Sequence, residues 1–337
     1  MSTLVSITLA AYNVEPYLAE AMDCICGQTY RTTEILCIDD GSTDGTRTIL
    51  NEYAAKDKRI RVIAKEKNEG LAVARNLSLK EAKGEYILFV DGDDLIDAEL
   101  IEKALALIVK EQSDLVIWDY QAFYANSELE GLNATSSELS VIGADDTVAL
   151  IKRPAFTWVK MYRTQAIRDL KISFPKGLTR QDIPVHWHVL TSNLKCSILP
   201  EKLSYYRQQP DATTAQKGRK LLDIAQILLE VKKVLDSTAK YDIYENTYLE
   251  QQLNMLHGMY DTIQDELKPE ALDLIHNQIG PEQIAYIMSN KPMRFQARWF
   301  YKKMNGDTLA LFQYTLWEIS RATFRLIKRN GKSWYLN

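Results

Sequence analysis

The most informative stretch of the sequence is Tyr86-Ile87-Leu88-Phe89-Val90-Asp91-Gly92-Asp93-Asp94. Its five apolar residues are rich in β-formers and predict a fully buried strand. Carboxylates follow, and because residues two apart in an extended segment point the same way, Asp91 and Asp93 share one side. Hard oxygen ligands at the carboxyl end of a buried strand suit Mg²⁺ or Mn²⁺ beside a phosphate-bearing ligand. The alternative is a solvated acidic loop that caps a helix beginning near Asp97.

Strand-like and helix-like patterns alternate on both sides of this stretch. Such alternation predicts an α/β fold with a mostly parallel sheet that helices cover on both faces. We expect strands at Val5–Ala10, Glu34–Ile38, Ile60–Ala64, Tyr86–Val90 and Leu115–Trp118, with helices near Glu15–Gly27, Asp44–Lys56, Gly70–Ala82 and Ala98–Gln112.

Polar residues follow three of the predicted strands. These clusters are Tyr12-Asn13, Asp39-Asp40-Gly41-Ser42 and Asp91-Gly92-Asp93. Ligands of parallel sheets bind beyond the carboxyl ends of the strands, so the three clusters predict one site at one sheet edge.

The second cluster continues into a helix start, and two interpretations stay open for it. Ser42, Thr43 or Asp44 can cap the next helix, which would need no ligand. Asp40 can instead accept hydrogen bonds from a base or a ribose.

Arg75 lies one to two turns into the helix that follows the turn at Asn68-Glu69-Gly70. A guanidinium near the same edge could meet a diphosphate or orient a neighbouring carboxylate. An exposed surface arginine is the alternative.

Composition and charge exclude some classes of protein. The chain has 337 residues, 46% of them hydrophobic and 26% charged, which is ordinary for a globular protein. A net charge of −4 does not indicate a nucleic-acid partner. The sequence shows neither a signal peptide nor a transmembrane run, and buried free thiols are favoured for its four cysteines, so we expect a cytoplasmic protein.

Five motifs in order resemble those of family 2 glycosyltransferases. They are Ala11-Tyr12-Asn13, Asp39-Asp40-Gly41-Ser42-Thr43-Asp44-Gly45, Gly70-x3-Ala74-Arg75-Asn76, Ala82-Lys83-Gly84-Glu85-Tyr86-Ile87 and Val90-Asp91-Gly92-Asp93-Asp94. The resemblance is close over residues 4 to about 120 and points to the branch that builds bacterial surface polysaccharides. It implies a GT-A fold, which is a Rossmann-like mixed sheet flanked by helices, and inversion at the anomeric carbon.

The resemblance also implies roles for individual residues. Asp182 is implied to be the catalytic base and Asp93 to hold Mg²⁺ or Mn²⁺, while Asp91 contacts the metal or the nucleotide sugar. Asp40 and Asn13 are implied to hold the uridine. The other residues expected around the UDP-sugar are Ala11, Tyr12, Asp39, Arg75, Gly92 and Arg207.

The sequence departs from the family pattern at two places. Gln181-Asp182 stands where the family usually has Glu-Asp, so the base position survives and the preceding carboxylate does not. Ala10 stands where the family commonly has proline. Beyond the base, His186 shares the helix face of Asp182 and His188 points elsewhere. A packed or acceptor-contacting histidine is favoured for each over a third metal ligand.

The expected activity is metal-dependent, inverting transfer of a hexose or N-acetylhexosamine. The donor would be a UDP-sugar, and the acceptor a hydroxyl of a glycan or a lipid-linked sugar. A non-catalytic sugar-nucleotide-binding or scaffolding protein that kept the fold is the alternative. A Rossmann dehydrogenase is disfavoured because no Gly-x-Gly-x-x-Gly follows the first strand.

The sequence predicts two domains. Residues 1–215 form the catalytic domain, and residues 216–337 form a helical C-terminal domain. From Lys291 onward there are ten Lys or Arg against only Asp307 and Glu318. This basic amphipathic tail suits either an anionic membrane surface or a contact with its own domain or a second subunit in a homodimer. Helices are expected at Arg219–Leu235, Ile243–Asp265, Glu270–Asn277, Pro281–Met288 and Thr308–Lys328.

Overall fold

The computed structural model describes residues 3–124, 126–129, 138–209 and 217–280. The chain forms two compact units. The first takes residues up to 216 together with 226–241, and the second takes 217–225 and residues from 242 onward.

A sheet of eight strands forms the centre of the first unit. Its strands are β1 (Val5–Ala11), β2 (Thr33–Asp39), β3 (Ile60–Ala64), β4 (Tyr86–Asp91), β5 (Leu95–Ile96), β6 (Leu115–Phe123), β7 (Lys160–Arg163) and β8 (Cys196–Arg207). They lie in the order β3-β2-β1-β4-β7-β6-β8-β5. Strand β7 is antiparallel to its neighbours β4 and β6, β5 is antiparallel to β8, and the remaining pairs are parallel. The mostly parallel α/β sheet expected from the sequence is confirmed.

The register of the strands brings the predicted clusters together. Ala11 pairs with Asp39, and Ala10 pairs with Asp91. The segments that follow β1, β2 and β4 therefore leave the sheet at the same edge, as the sequence predicted.

Seven of the described helices belong wholly to the first unit, and five of them pack against strands of the sheet. In the fourth, Leu100, Ile101, Ala104, Leu105 and Ile108 are buried at helical spacing against the sheet core. The helices of both units are α1 (Glu15–Cys26), α2 (Thr46–Lys56), α3 (Leu71–Glu81), α4 (Leu100–Glu111), α5 (Thr147–Ile151), α6 (Thr164–Asp169), α7 (Asp182–Thr191), α8 (Asp223–Ser237), α9 (Tyr241–Thr262) and α10 (Lys268–His276).

The far side of the sheet was only partly predicted. Strands β5 and β8 were missed, and β6 extends to Phe123 where the sequence indicated an end at Trp118. Strand β8 contains Pro200 and has no strict alternation of buried and exposed residues, and its pairing with β6 shifts register on both sides of Asp119. The alternation of apolar and polar residues is therefore too weak to predict this strand from the sequence.

The second unit is helical within the described residues. Its helices α9 and α10 agree with the predicted helical region, and Gln278 donates from Nε2 to the carbonyl of Ala225 at 2.6 Å. Most of α8 belongs to the first unit, and the domain boundary between residues 215 and 216 stays a prediction. The predicted helices after residue 280 and the basic tail lie outside the described residues. No helix of the described part is long and apolar enough to cross a bilayer.

Candidate active site

A buried arginine joins two of the predicted site carboxylates. Arg75 lies on α3 with 2% of its surface exposed. Its Nη2 donates to both carboxylate oxygens of Asp91 at 2.9 and 3.1 Å, and its Nη1 donates to Oδ2 of Asp182 at 3.3 Å. A guanidinium so deeply buried is stable only when it is paired. The ion pairs therefore connect the end of β4 to the first residue of α7.

The residue after this arginine fixes the segment that leads to Asp182. The Asn76 side chain donates to the carbonyl of Phe174 and accepts from its N–H, both at 2.8 Å. The Phe174 ring lies 5.7 Å from the Arg75 guanidinium carbon, within the range of a cation–π contact. The Arg75-Asn76 pair of one motif thus positions both the base candidate and the chain that precedes it.

Asp93 lies in an electrostatically unfavourable place. Its Oδ2 accepts from Nε2 of Gln209 at 2.8 Å. Burial, and then the charge of Asp91, raise the pKa of Asp93 to about 6. A cation beside this carboxylate would relieve both effects.

Asp94 has a structural role, as the backbone contacts show. Only 4% of it is exposed, and its Oδ1 accepts from the N–H of Arg207 at 2.9 Å. Burial, and then the neighbouring carboxylates, raise its pKa well above the usual range. The side chain ties the turn after β4 to the end of β8.

The loops after β1 and β2 are held together by polar side chains. Asn13, in the left-handed region with φ of 52°, accepts at Oδ1 from the N–H of Thr43 at 2.9 Å. Its own N–H donates to Oγ of Ser42 at 3.1 Å. The neighbouring Tyr12 is 43% exposed, so its ring is available at this edge.

Asp39 and Asp40 are both occupied by donors from the protein. The fully buried Asp39 accepts from the N–H of Ser42 at 2.9 Å and from Nε of Arg47 at 2.6 Å. Asp40 accepts from Nζ of Lys65 at 2.5 Å and from the N–H of Gly70 at 2.7 Å. Both carboxylates shape the loops around them, and the uridine contact of Asp40 stays a prediction.

Glycine is required at position 41 by a close backbone approach. Gly41 has φ of 75°, and a Cβ there would lie 2.4 Å from the carbonyl carbon of Lys67. At Gly92 a Cβ would meet side-chain atoms, 3.0 Å from Cγ2 of Val14 and 3.5 Å from Cβ of Ala11. A larger residue at position 41 would therefore push the loop after β2 away from the backbone of Lys67.

The sequence model for the family described as "Glycosyl transferase family 2" matches residues 6–170. This part of the chain is a family 2 glycosyltransferase domain.

Similar proteins of known name agree with that assignment. Glycosyltransferase GlyA of Streptococcus pneumoniae is 39% identical over 231 residues, which are 64% of this chain and 31% of GlyA. The poly(ribitol-phosphate) beta-N-acetylglucosaminyltransferase TarS of Staphylococcus aureus is 31% identical over 209 residues, or 60% of this chain and 35% of TarS. The chain therefore matches about a third of the length of these two relatives.

The structural likeness extends beyond the family match. Residues 1–349 of TarS in complex with UDP superpose with a TM-score of 0.68 and 24% identity, covering 93% of this chain and 91% of that one. A mannosyltransferase from Pyrobaculum calidifontis in complex with GDP-mannose and Mn²⁺ superposes with a TM-score of 0.53 and 15% identity, covering 94% and 88% of the two chains. The predicted GT-A fold is confirmed.

Beyond the residues that the family model matches, Arg207 at the end of β8 supports the turn after β4. Its Nε donates to the carbonyl of Asp93 at 2.9 Å and its Nη2 to Glu20 at 2.7 Å. The guanidinium carbon also lies 4.7 Å from the centre of the Phe123 ring. A direct contact of Arg207 with the nucleotide stays a prediction, while its contacts with the protein place it beneath Asp93.

The residues present fit a divalent cation that is shared with a diphosphate. Among the described residues no group of three or more His, Cys, Asp or Glu side chains could hold a metal unaided. Mg²⁺ is usually bound by one or two carboxylates together with substrate phosphates, so a closed protein cage is not required. Asp93 supplies a hard oxygen ligand next to Asp91, and its raised pKa marks a carboxylate short of positive charge.

His186 and Lys160 are buried beside the base rather than exposed to a ligand. His186 is 4% exposed, one helical turn after Asp182, with Nε2 3.2 Å from the carbonyl of Leu150. Lys160, which sequence reasoning did not single out, is 1% exposed and donates to the carbonyl of Phe156. Burial lowers its pKa to about 7, against the opposing charge of Asp182. The available signal was a lysine within the otherwise apolar and aromatic run Phe156-Thr157-Trp158-Val159-Lys160-Met161-Tyr162.

Proposed function

We propose that this protein is an inverting, metal-dependent glycosyltransferase of bacterial surface-polysaccharide synthesis. It would move a hexose or N-acetylhexosamine from a UDP-sugar to a hydroxyl of a glycan or lipid-linked acceptor. The observation that carries the proposal is the Arg75 bridge, which holds Asp182 beside the sheet edge where Asp91 and Asp93 lie. A base and a leaving-group site must be that close for one displacement to use both.

Asp182 is the proposed general base. Its side chain is 17% exposed, so an acceptor hydroxyl can reach it, and Arg75 orients it through Oδ2. Asp182 would accept the hydroxyl proton while the oxygen attacks the anomeric carbon from the face opposite UDP. The new glycosidic bond forms as the bond to the β-phosphate oxygen breaks, which inverts the anomeric centre.

Asp93, with Asp91, is the proposed holder of a Mg²⁺ or Mn²⁺ ion. When bound, that ion offsets the charge that develops on the departing diphosphate. The mannosyltransferase structure with GDP-mannose and Mn²⁺ supports a divalent ion in this fold, and the raised pKa of Asp93 supports the position.

The loops after β1 and β2 are the proposed uridine site. Ala11 ends β1, Tyr12 and Asn13 follow it, and Tyr12 offers an exposed ring on which a base can stack. Asp39 and Asp40 hold the opposite loop in shape, and Asp40 is the member of this pair implied to contact the uridine. TarS complexes with UDP and with UDP-GlcNAc support a uridine nucleotide as donor.

A UDP-sugar donor implies that the protein acts in the cytoplasm. If the acceptor is lipid-linked, the protein would act at the inner face of the membrane. The basic tail after Lys291 would then contact anionic lipid or a second subunit. A variant that lacks the residues after Lys303 separates these two roles. Loss of co-sedimentation with anionic vesicles indicates the lipid contact, and a fall in molecular mass from dimer to monomer indicates the subunit contact.

Turnover of UDP-glucose, UDP-galactose and their N-acetylamino forms with Mn²⁺ or Mg²⁺ tests the proposal. We expect one donor to stabilise the protein against heat and to release UDP slowly without an acceptor, with both effects lost on chelation. A protein that binds UDP-sugars but never turns them over, with any sugar acceptor tried, would be the scaffold instead.

A further inference from the structure

Four aromatic rings form a cluster on strands β6 and β8 and on the turn before β7. Phe156 stacks on Trp158 with centroids 4.6 Å apart and ring planes 14° from parallel. Tyr120 meets both rings edge-on at 5.3 Å, and Tyr206 lies 5.4 to 5.6 Å from Trp158 and Phe156. Trp158 is 6% exposed, whereas the other three rings are only half-buried. These three residues pack against the hydrophobic core with part of their surface and keep the rest exposed to solvent.

The strand directions place this cluster at the edge that carries the site carboxylates. Strand β7 is antiparallel to both β4 and β6, so β4 and β6 run the same way, and β8 is parallel to β6. Tyr120 and Tyr206 lie toward the carboxyl ends of their strands, as Asp91 does in β4. In the strand order they lie on the flank of β4 opposite to β1 and β2. The uridine loops and the aromatic cluster are thus on opposite sides of Asp91.

A small cavity connects the cluster to the helix of the base. Its volume is about 10 Å³, and Tyr120, Lys160 and His186 are among the residues that line it. His186 lies four positions after Asp182 on α7, which is about 6 Å along the helix axis. Arg153, also in the lining, forms an ion pair of 2.7 Å with Asp119, so polar groups border the rings.

We propose that Tyr120, Phe156 and Tyr206 form an aromatic platform that binds a pyranose ring of the acceptor. This inference rests on the proposed function, because in-line displacement requires the acceptor to approach from the side of Asp182 that faces away from UDP. A pyranose has an apolar C–H face and a rim of hydroxyls. Half-buried rings beside charged side chains match both surfaces.

The test uses leucine substitutions that keep apolar volume and remove the ring face. Tyr206→Leu and Phe156→Leu change the platform, and Tyr206→Phe keeps the ring and removes only the hydroxyl. The matched control is Tyr205→Leu, the adjacent residue of β8, whose hydroxyl donates instead to Asp97 at 3.2 Å. The probes are methyl β-glucopyranoside, methyl N-acetyl-β-glucosaminide and octyl β-glucopyranoside below its micelle concentration, each with UDP and Mn²⁺ present.

Saturation-transfer NMR measures glycoside binding, and calorimetry of UDP with Mn²⁺ reports on the donor site and on folding. We expect ring-proton signals for at least one glycoside, on the order of tenfold weaker binding in the two platform leucine variants, and a change below twofold in Tyr206→Phe and Tyr205→Leu. UDP affinity is expected to stay within twofold in all of them.

Four results would count against the platform or the proposed function, and they can be told apart. No glycoside signal in the unsubstituted protein, or equal binding in Tyr206→Leu and Tyr205→Leu, overturns the platform while leaving UDP binding as evidence for the proposed function. A saturation-transfer signal that is confined to the octyl chain of octyl β-glucopyranoside overturns the aromatic platform in favour of a lipid contact. Failure of the unsubstituted protein to bind UDP overturns the proposed function itself.

Discussion

At the end of β2, Asp39 and Asp40 have protein donors on their carboxylate oxygens, and Arg47 and Lys65 supply the matching positive charge. At the end of β4, two strand spacings or roughly 10 Å further along the same edge, Asp93 has an amide donor and a second negative charge beside it. Aspartates at the end of β2 therefore stabilise a loop, whereas Asp93 after β4 has uncompensated negative charge that a cation would balance. Carboxylates at strand ends do not by themselves define a site, and their partners do.

The largest effect is expected from Asp182→Asn. Without a base, the rate of sugar transfer should fall by about 10²–10⁴-fold while UDP affinity stays unchanged. Transfer kinetics and calorimetry check this, and Asp169→Asn, an exposed carboxylate of α6, is the control. Transfer retained within tenfold would remove Asp182 as the base.

Arg75→Met is expected to give the largest loss of stability. It leaves Asp91 and Asp182 without their buried partner, which should lower the free energy of unfolding by about 3–5 kcal/mol. Arg61→Met removes a partly exposed pair with Glu81 and should cost less than about 1 kcal/mol. If urea titrations give equal losses in the free energy of unfolding for the two variants, the Arg75 bridge does not stabilise the fold more than a surface ion pair does.

Asp40→Asn and Asp93→Asn are expected to give opposite patterns. Asp40→Asn weakens three protein hydrogen bonds and should lower the free energy of unfolding by about 1–3 kcal/mol. Asp93→Asn removes a charge from beside Asp91, so metal-free stability should rise while Mn²⁺-dependent UDP binding weakens. Unchanged calorimetry of UDP with Mn²⁺ in Asp93→Asn would contradict its assignment as ligand.

A buried lysine, Lys160, and a partly buried one, Lys65, extend the comparison to pH. The pKa of Lys160 is lowered to about 7 by burial, so between pH 7 and 10 the unfolded chain binds more protons there than the folded chain does. Stability should therefore rise with pH, by about 1 kcal/mol between pH 7 and 8, and Lys160→Met should abolish that rise. Lys65→Met is the control, because Asp40 and Glu69 raise the pKa of Lys65 above its usual value against the effect of burial. An unchanged pH profile in Lys160→Met would show that Lys160 stays charged.

The strands that the sequence predicted correctly are those whose pattern of apolar residues can be recognised within a short segment. Buried runs such as Tyr86–Val90 and the motifs at their ends are read within a few residues, and the parallel order of β1 to β4 follows from them. Strand β8 depends on pairing with β6 some eighty residues earlier in the chain, across a register shift, and local pattern does not report that.

The predicted site residues divide in the same way. Asp91, Asp93 and Asp182 were predicted from motif and resemblance, and their roles stay predictions, whereas Lys160 and Gln209, which the structure places beside them, were not singled out. Gln209 meets Asp93 across 116 positions of sequence. The two possibilities left open for Arg75 could be separated only when the fold brought Asp182 to it.

The Arg75 bridge also has a consequence for the order in which the chain assembles. Arg75 and Asp91 are 16 residues apart and can pair once β4 has been synthesised, whereas Arg75 and Asp182 are separated by 107. Closing the longer loop costs more entropy and waits for much more of the chain to leave the ribosome. A nascent chain can therefore form the Arg75–Asp91 pair well before Asp182 has left the ribosome to complete the bridge.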